Sequence, residues 1–223
     1  MEIRSTKDYS ENGIKILCYG QAGSGKTYQI KTLIEQGFNP IVIDIEGGLL
    51  TLKSLGLDVP YISIKTVDDL YNFFQWIETK EAEQFDVIVL DSVSDLSKII
   101  LTNAKRMNKD SRQAYGQMAE DVLSTVRMLC NIPKHIYVTA QLGKMQDDSG
   151  KILYGASAEG KVIAPQLEYM FSEVFYSGAY IDEEGKQVHY LQTFNDGIHS
   201  AKDRSGVLNQ CEFSIGEIIR RLS

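Results

Sequence analysis

Cysteine and histidine are scarce, with three of each among 223 residues. Cys18, Cys130 and Cys211 are odd in number, far apart and not grouped with the histidines, which excludes a disulfide framework or a zinc site as the organising feature. Buried, reduced thiols are expected instead. Long apolar runs are also missing: nothing approaches the roughly eighteen consecutive apolar residues of a membrane span. The opening MEIRSTKDYSENGIK lacks the apolar run of a signal peptide. An intracellular, cytoplasmic chain without membrane contact is the expectation. Positive charge is in deficit, 23 Lys and Arg against 30 Asp and Glu, for a formal net charge of −7. That argues against a surface coated in basic residues but leaves room for a local basic channel. With no Pro/Gly-rich linker, repeat or low-complexity tract to mark a boundary, residues 1–223 are expected to form one domain, with 1–13 as a polar N-terminal segment.

What is present is enough apolar residue, 43%, for a full core. Short apolar runs alternate with helical periodicity, the pattern of a mostly parallel, doubly wound α/β sheet with helices on both faces. The expected strands are IKILCYG (14–20), PIVIDIE (40–46), FDVIVLD (85–91) and KHIYVTAQ (134–141). Helical stripes run through Val67, Leu70, Phe73, Phe74 and Ile77, through Val93, Leu96, Ile100 and Met107, and through Met118, Val122, Val126 and Leu129, all read as core faces. Thr66 with Asp69, and Ser214 with Glu217, make capping-box patterns. VFYSGAYI and QVHYLQTF flank DEEGK and read as an antiparallel C-terminal hairpin.

The strongest motif is GQAGSGKT: Gly20, Gln21, Ala22, Gly23, Ser24, Gly25, Lys26 and Thr27. It fits the phosphate-binding loop G-x-x-x-x-G-K-[ST] at every required position. A strand precedes it, and the stripe Tyr28, Ile30, Leu33 and Ile34 follows, so the loop is expected to open a helix at Tyr28 whose N-terminus faces phosphates. Backbone N–H groups and the helix dipole would then favour an anion. Lys26 would bridge the terminal phosphates, and the Thr27 hydroxyl would ligate Mg²⁺. A second metal-holding carboxylate is supplied by Asp91, which ends a buried strand where α/β ligand sites collect. Two further strand ends carry polar groups at the same edge. Glu46 could orient and deprotonate an attacking water, and Gln141 could sense a γ-phosphate; either could instead be a solvated strand terminus.

The order GxxxxGKT, a strand ending D-x-E (Asp44, Ile45, Glu46), a strand ending in Asp91 and one ending in Gln141 resembles the RecA-like P-loop ATPase core. More closely, VIDIEGGLLTL, FDVIVLDSVSDL and SAKDRSGVL resemble bacteriophage single-strand annealing recombinases with a short RecA core, AAA-type phage nucleotide-binding proteins. The likeness runs over roughly residues 13–222. It implies a RecA-like fold, ATP with Mg²⁺, slow hydrolysis that depends on assembly or DNA, and work on single-stranded DNA in the cytoplasm of a phage-infected cell. It also implies self-assembly into a ring or filament, with a single-strand-binding protein as a further partner. Lys202 and Arg204 then resemble the late basic pair, a finger, that reaches a neighbour's γ-phosphate; on charge alone they would read as a solvated turn, and it is the other motifs that favour the finger.

For nucleic acid, Lys105, Arg106, Lys109 and Arg112 form a basic cluster. If the segment is helical, Lys105, Lys109 and Arg112 share a face, at a small repulsive cost that phosphates would relieve. The segment after Gln141 reads as a mobile loop, with Lys144, Lys151 and Lys161 balanced by Asp147, Asp148 and Glu159, and with Tyr154 available to stack on a base. A GTPase reading lacks an N-K-x-D stretch, and a small-molecule kinase lacks an arginine-rich lid. An ATP-dependent switch or loader that orders the loop after Gln141 for a protein partner, without touching DNA, is the alternative.

Overall fold

The computed structural model describes residues 12–146, 149–160 and 162–223. Most of the expected N-terminal segment (1–11) and the loop charges Asp147, Asp148 and Lys161 lie outside the described residues. The apolar runs form the centre of a mixed sheet ordered β10-β8-β7-β1-β5-β4-β2-β3. Its parallel strands are β1 (Lys15–Gly20), β2 (Pro40–Asp44), β3 (Tyr61–Ser63), β4 (Val87–Asp91), β5 (His135–Gln146) and β7 (Glu173–Ile181). Antiparallel partners are β6 (Ile152–Ser157), β8 (Gln187–Gln192), β9 (Lys202–Asp203) and β10 (Cys211–Glu212).

Alternation along the strands builds a core on each face. Leu17 and Tyr19 of β1 enter the larger cluster, with residues of α3 (Val67–Trp76), α4 (Val93–Met107), α5 (Ser111–Asn131) and α6 (Ile163–Met170). Ile16 and Cys18 point the other way and meet Ile30 and Leu33 of α1 (Gln29–Glu35) and Ile215, Ile218 and Ile219 of α7 (Ile215–Leu222). The short α2 (Leu50–Ser54) contributes Leu52 to this second cluster. The capping box at Thr66 and Asp69 forms at the start of α3, and at the start of α7 the Ser214 hydroxyl accepts from Glu217 N–H.

Several expectations are corrected. Met107 is 79% exposed, because it is the last residue of α4 and overhangs a turn, so the core stripe stops at Ala104. The basic segment is not one helical face. Asn108 is extended, its side chain capping the Ala104 carbonyl, and Asp110 starts α5 by accepting from Arg112 N–H and Gln113 N–H. The strand expected to end at Gln141 continues to Gln146 and returns as β6, so the segment read as a mobile loop is a β-hairpin on either side of residues 147–148. The thiols also differ in setting: Cys18 is buried, Cys130 half-buried and Cys211 exposed. Burial pushes the Cys18 and Cys130 thiols up to about 11.

Candidate nucleotide-binding site

Four parallel strands bring the motif residues to one edge of the sheet. Gly20 pairs in register with Gln141, and Asp44 with Asp91. The strand carrying Gln141 lies between the strand that feeds the glycine-rich loop and the strand that ends in Asp91.

The loop is held from below and from the side. Tyr137 of β5, fully buried, donates its hydroxyl to the Lys26 carbonyl at 2.9 Å. Lys26 lies across its own loop, Nζ donating to the carbonyls of Gly20 (3.0 Å) and Gln21 (2.9 Å). Burial lowers the Lys26 pKa, opposed by the negative charges of Asp91 and Glu46. Gly25 takes φ +95°, a left-handed conformation open to glycine at little cost. The helix begins later than the motif suggests. Its first residue is Gln29, and Lys26 to Tyr28 form a turn tightened by three-residue-spaced bonds such as Ile30 N–H to the Thr27 carbonyl at 3.2 Å. Such 3₁₀-type turns are common where a helix starts.

Thr27 and Asp91, 64 residues apart in sequence, touch: Thr27 Oγ1 donates to Asp91 Oδ2 at 2.8 Å. The other carboxylate oxygen accepts from Thr139 Oγ1 at 2.5 Å, and Asp91 is only 1% exposed. A cis peptide joins Asp91 to Ser92. Hard oxygen donors of this type suit Mg²⁺. The backbone leaves room beside them: a Cβ on Gly48 would lie 3.6 Å from Asp91 Oδ2 and 3.7 Å from Thr27 Oγ1. Thr27 and Asp91 therefore fit a magnesium ion. Among the described residues, no cluster of three or more His, Cys, Asp or Glu forms a separate metal site.

Glu46 follows the end of β2, with its backbone N–H on the Asp91 carbonyl at 3.2 Å. Its pKa is raised, first by burial and then by the charges of Asp91 and Asp95. Gln141 is tied to the start of α4: its N–H donates to Ser94 Oγ at 2.9 Å and its Nε2 to Asp95 Oδ2 at 3.2 Å. Asp95 also accepts from Ser92 Oγ (2.7 Å) and pairs with Lys98 (2.8 Å). Thr139, Ser94 and Asp95 are site residues that the sequence reading did not single out. For Asp95 a signal existed in the S-x-x-D spacing from Ser92, a helix N-cap pattern.

Lys202 and Arg204 are not brought to this edge. Lys202 pairs with Val174, which pairs with Leu17, three residues before Gly20; at about 3.3 Å per residue that is about 10 Å back along the sheet. Lys202 Nζ donates to the Glu168 carbonyl at 2.6 Å, and Arg204 Nη2 to the Phe171 carbonyl at 3.5 Å. Burial lowers the Lys202 pKa, helped by Arg204 and opposed by Glu168 and Glu173. Arg204 itself is exposed and borders an open cleft of about 810 Å³ at the far end of the sheet, with His135, Ser172 and Glu173.

The residues considered for nucleic acid fall in two places. Lys105, Arg106, Lys109 and Arg112 are all exposed around the α4–α5 turn, with Lys105 Nζ 5.3 Å from the Tyr115 ring centroid. Lys144 and Tyr154 face each other across the β5–β6 hairpin, and Lys151 leads into β6. The Tyr154 ring stacks on His199 at 5.4 Å, and His199 on Tyr176 at 4.0 Å, so one face of Tyr154 is already covered. No helix among the described residues is long and apolar enough to cross a membrane.

The protein-family model described as AAA domain matches residues 12–205. No curated protein matches the chain.

Proposed function

The chain belongs to the AAA domain family, and from that membership and the geometry of the loop we propose that it is a Mg·ATP hydrolase with a RecA-like core, acting on single-stranded DNA in recombination or repair. The observation that carries the ATPase reading is the 2.8 Å contact between the loop's Thr27 and the buried Asp91. It joins the two halves of a triphosphate site that lie far apart in sequence. A strand between the loop strand and the Asp91 strand, and Glu46 and Gln141 at that edge, support the RecA-like assignment.

In this reading the loop amides and Lys26 hold the triphosphate, with Lys26 exchanging its carbonyl partners for phosphate oxygens. Thr27 and Asp91 hold Mg²⁺, which when bound neutralises charge on the phosphate oxygens. Glu46, its carboxylate made more basic by burial and by Asp91, accepts a proton from the attacking water. Gln141 reports the terminal phosphate to α4 through Asp95. Lys202 and Arg204 would serve a neighbour's phosphate in a ring or filament, a role compatible with their distance from their own loop. An arginine supplied in this way is worth about 10³- to 10⁵-fold in rate where it operates. The exposed basic turn at 105–112 and the β5–β6 hairpin would face DNA, with a single-strand-binding protein as a further partner, in the cytoplasm of a phage-infected cell.

A second reading, a nucleotide switch that addresses a protein partner, is favoured by one observation: the Gln141–Asp95–Lys98 connection ends in the first turns of α4, about two turns short of the basic residues Lys105 and Arg106 at its C-terminal end. Steady-state hydrolysis with and without single-stranded DNA, over a range of protein concentrations, separates the two. The recombinase reading predicts stimulation by DNA, a rate per subunit that rises with concentration, and loss of turnover with retained ATP binding in Arg204→Ala. Turnover indifferent to DNA and to concentration would remove it in favour of the switch.

A further inference from the structure

The β7–β8 hairpin contributes nothing to the phosphate-loop motif, yet it grips the loop at one atom. The Ser24 carbonyl oxygen accepts from Ser177 Oγ at 2.8 Å and lies 3.0 Å from His189 Nδ1. A carbonyl oxygen can only accept, so Nδ1 carries the proton and the imidazole donates. Ser177 pairs with Leu191 and Ala179 with His189, which makes Ser177 and His189 diagonal neighbours on facing strands. Ser177 is 1% exposed. The imidazole is fixed on a second side by the Tyr28 ring, 6.2 Å between centroids and 28° between planes.

Resting on the proposed nucleotide site, we propose that His189 and Ser177 are positioning residues of the phosphate loop, holding the Ser24 carbonyl outward so that the adjoining N–H is presented to phosphate. The peptide between Ser24 and Gly25 is planar and trans, so its C=O and N–H point in opposite directions. Anchoring the carbonyl on the hairpin turns the Gly25 N–H away from the hairpin. A carbonyl left free to rotate could instead present its negative end to the phosphates. The hairpin therefore organises the loop in advance of the ligand, and preorganisation raises affinity by removing an ordering cost. Gly25 is required here for a second reason besides its φ of +95°: a Cβ would sit 2.9 Å from His189 Cγ and Nδ1 and push the imidazole off Ser24.

The test is calorimetric titration of the full chain with ATP and with ADP, using His189→Phe, His189→Asn and Ser177→Ala. Phenylalanine keeps a ring against Tyr28 without a donor, whereas asparagine restores an N–H near the Nδ1 position. The clamp predicts that His189→Phe and Ser177→Ala each weaken both nucleotides about threefold to tenfold, the worth of one hydrogen bond. It further predicts that His189→Asn recovers most of the loss and that the melting temperature without nucleotide falls by no more than about 2–4 °C in any variant, the scale of one hydrogen bond. Wild-type affinity in His189→Phe and Ser177→Ala, or equal losses in His189→Phe and His189→Asn, overturns the clamp while leaving the site standing. No ATP binding by the wild-type chain overturns the site, and the clamp with it.

Discussion

Glu173 is 2% exposed at the start of β7 and carries a carboxylate oxygen with no hydrogen-bond partner. Burial above all, then the charge of Asp203 and the hydrogen bond shared with it, pushes its pKa up from 4.5 to about 8. Burial opposes ionisation of Asp203 as well, but hydrogen bonds from Ser205, Leu208 and Gly206 hold its carboxyl below the usual range. Between 4.5 and about 8 the folded chain keeps a proton on Glu173 that the unfolded chain releases. Its contribution to stability is thus complete below the lower value and lost as pH rises through the upper one. Urea midpoints should fall from about pH 5 to about pH 8, and Glu173→Gln should flatten that slope; an unchanged slope in the variant would show that another group titrates. The positions of Gly20 to Thr27, Glu46 and Asp91 were legible in the sequence through local patterns, whereas Gln141 was read as a strand end and lies inside β5, level with Gly20. Thr139 and His189 were not legible, since they act on partners 48 and 165 residues away and no local spacing encodes such pairs.

At the level of elements, the buried strands and long amphipathic helices were legible because each carries its own period. The short strands β3, β9 and β10 exist only through the neighbours they pair with, and a two- or three-residue segment has no period to read. The β5–β6 hairpin was hidden by glycines, serines and acids that suggest a loop. Helix α7 was visible through Ser214 and its apolar residues, but its seat on α1 was not. Gly216 N–H donates to Thr32 Oγ1 at 3.0 Å, and a Cβ at this position would run into the Thr32 carbonyl. Gly216→Ala should therefore force α7 off α1 and cost about 1–3 kcal/mol, read as a lower urea midpoint with an unchanged m-value. An unaltered midpoint would mean that this helix pair is looser than its contact implies.

For the molecule as a whole, the sheet separates two chemistries. One end gathers the glycine-rich loop, Glu46, Asp91 and Gln141, clasped by the β7–β8 hairpin, and the other carries Lys202, Glu173 and Arg204 beside an open cleft. The trans role proposed for Lys202 and Arg204 requires head-to-tail contact, in which one copy completes the next. Both ends matter only if, as proposed, the loop around Lys26 binds and hydrolyses ATP with Mg²⁺ held at Thr27 and Asp91. The most direct measurement is phosphate release from Mg·ATP by the wild-type chain and by Lys26→Ala at matched, increasing concentrations, with and without a magnesium chelator. Wild-type turnover should fall about 10²- to 10³-fold in Lys26→Ala, the scale of losing one electrostatic stabiliser, and should stop when magnesium is removed. Equal turnover by the two proteins, or none from the wild type at any concentration, would contradict the proposed site.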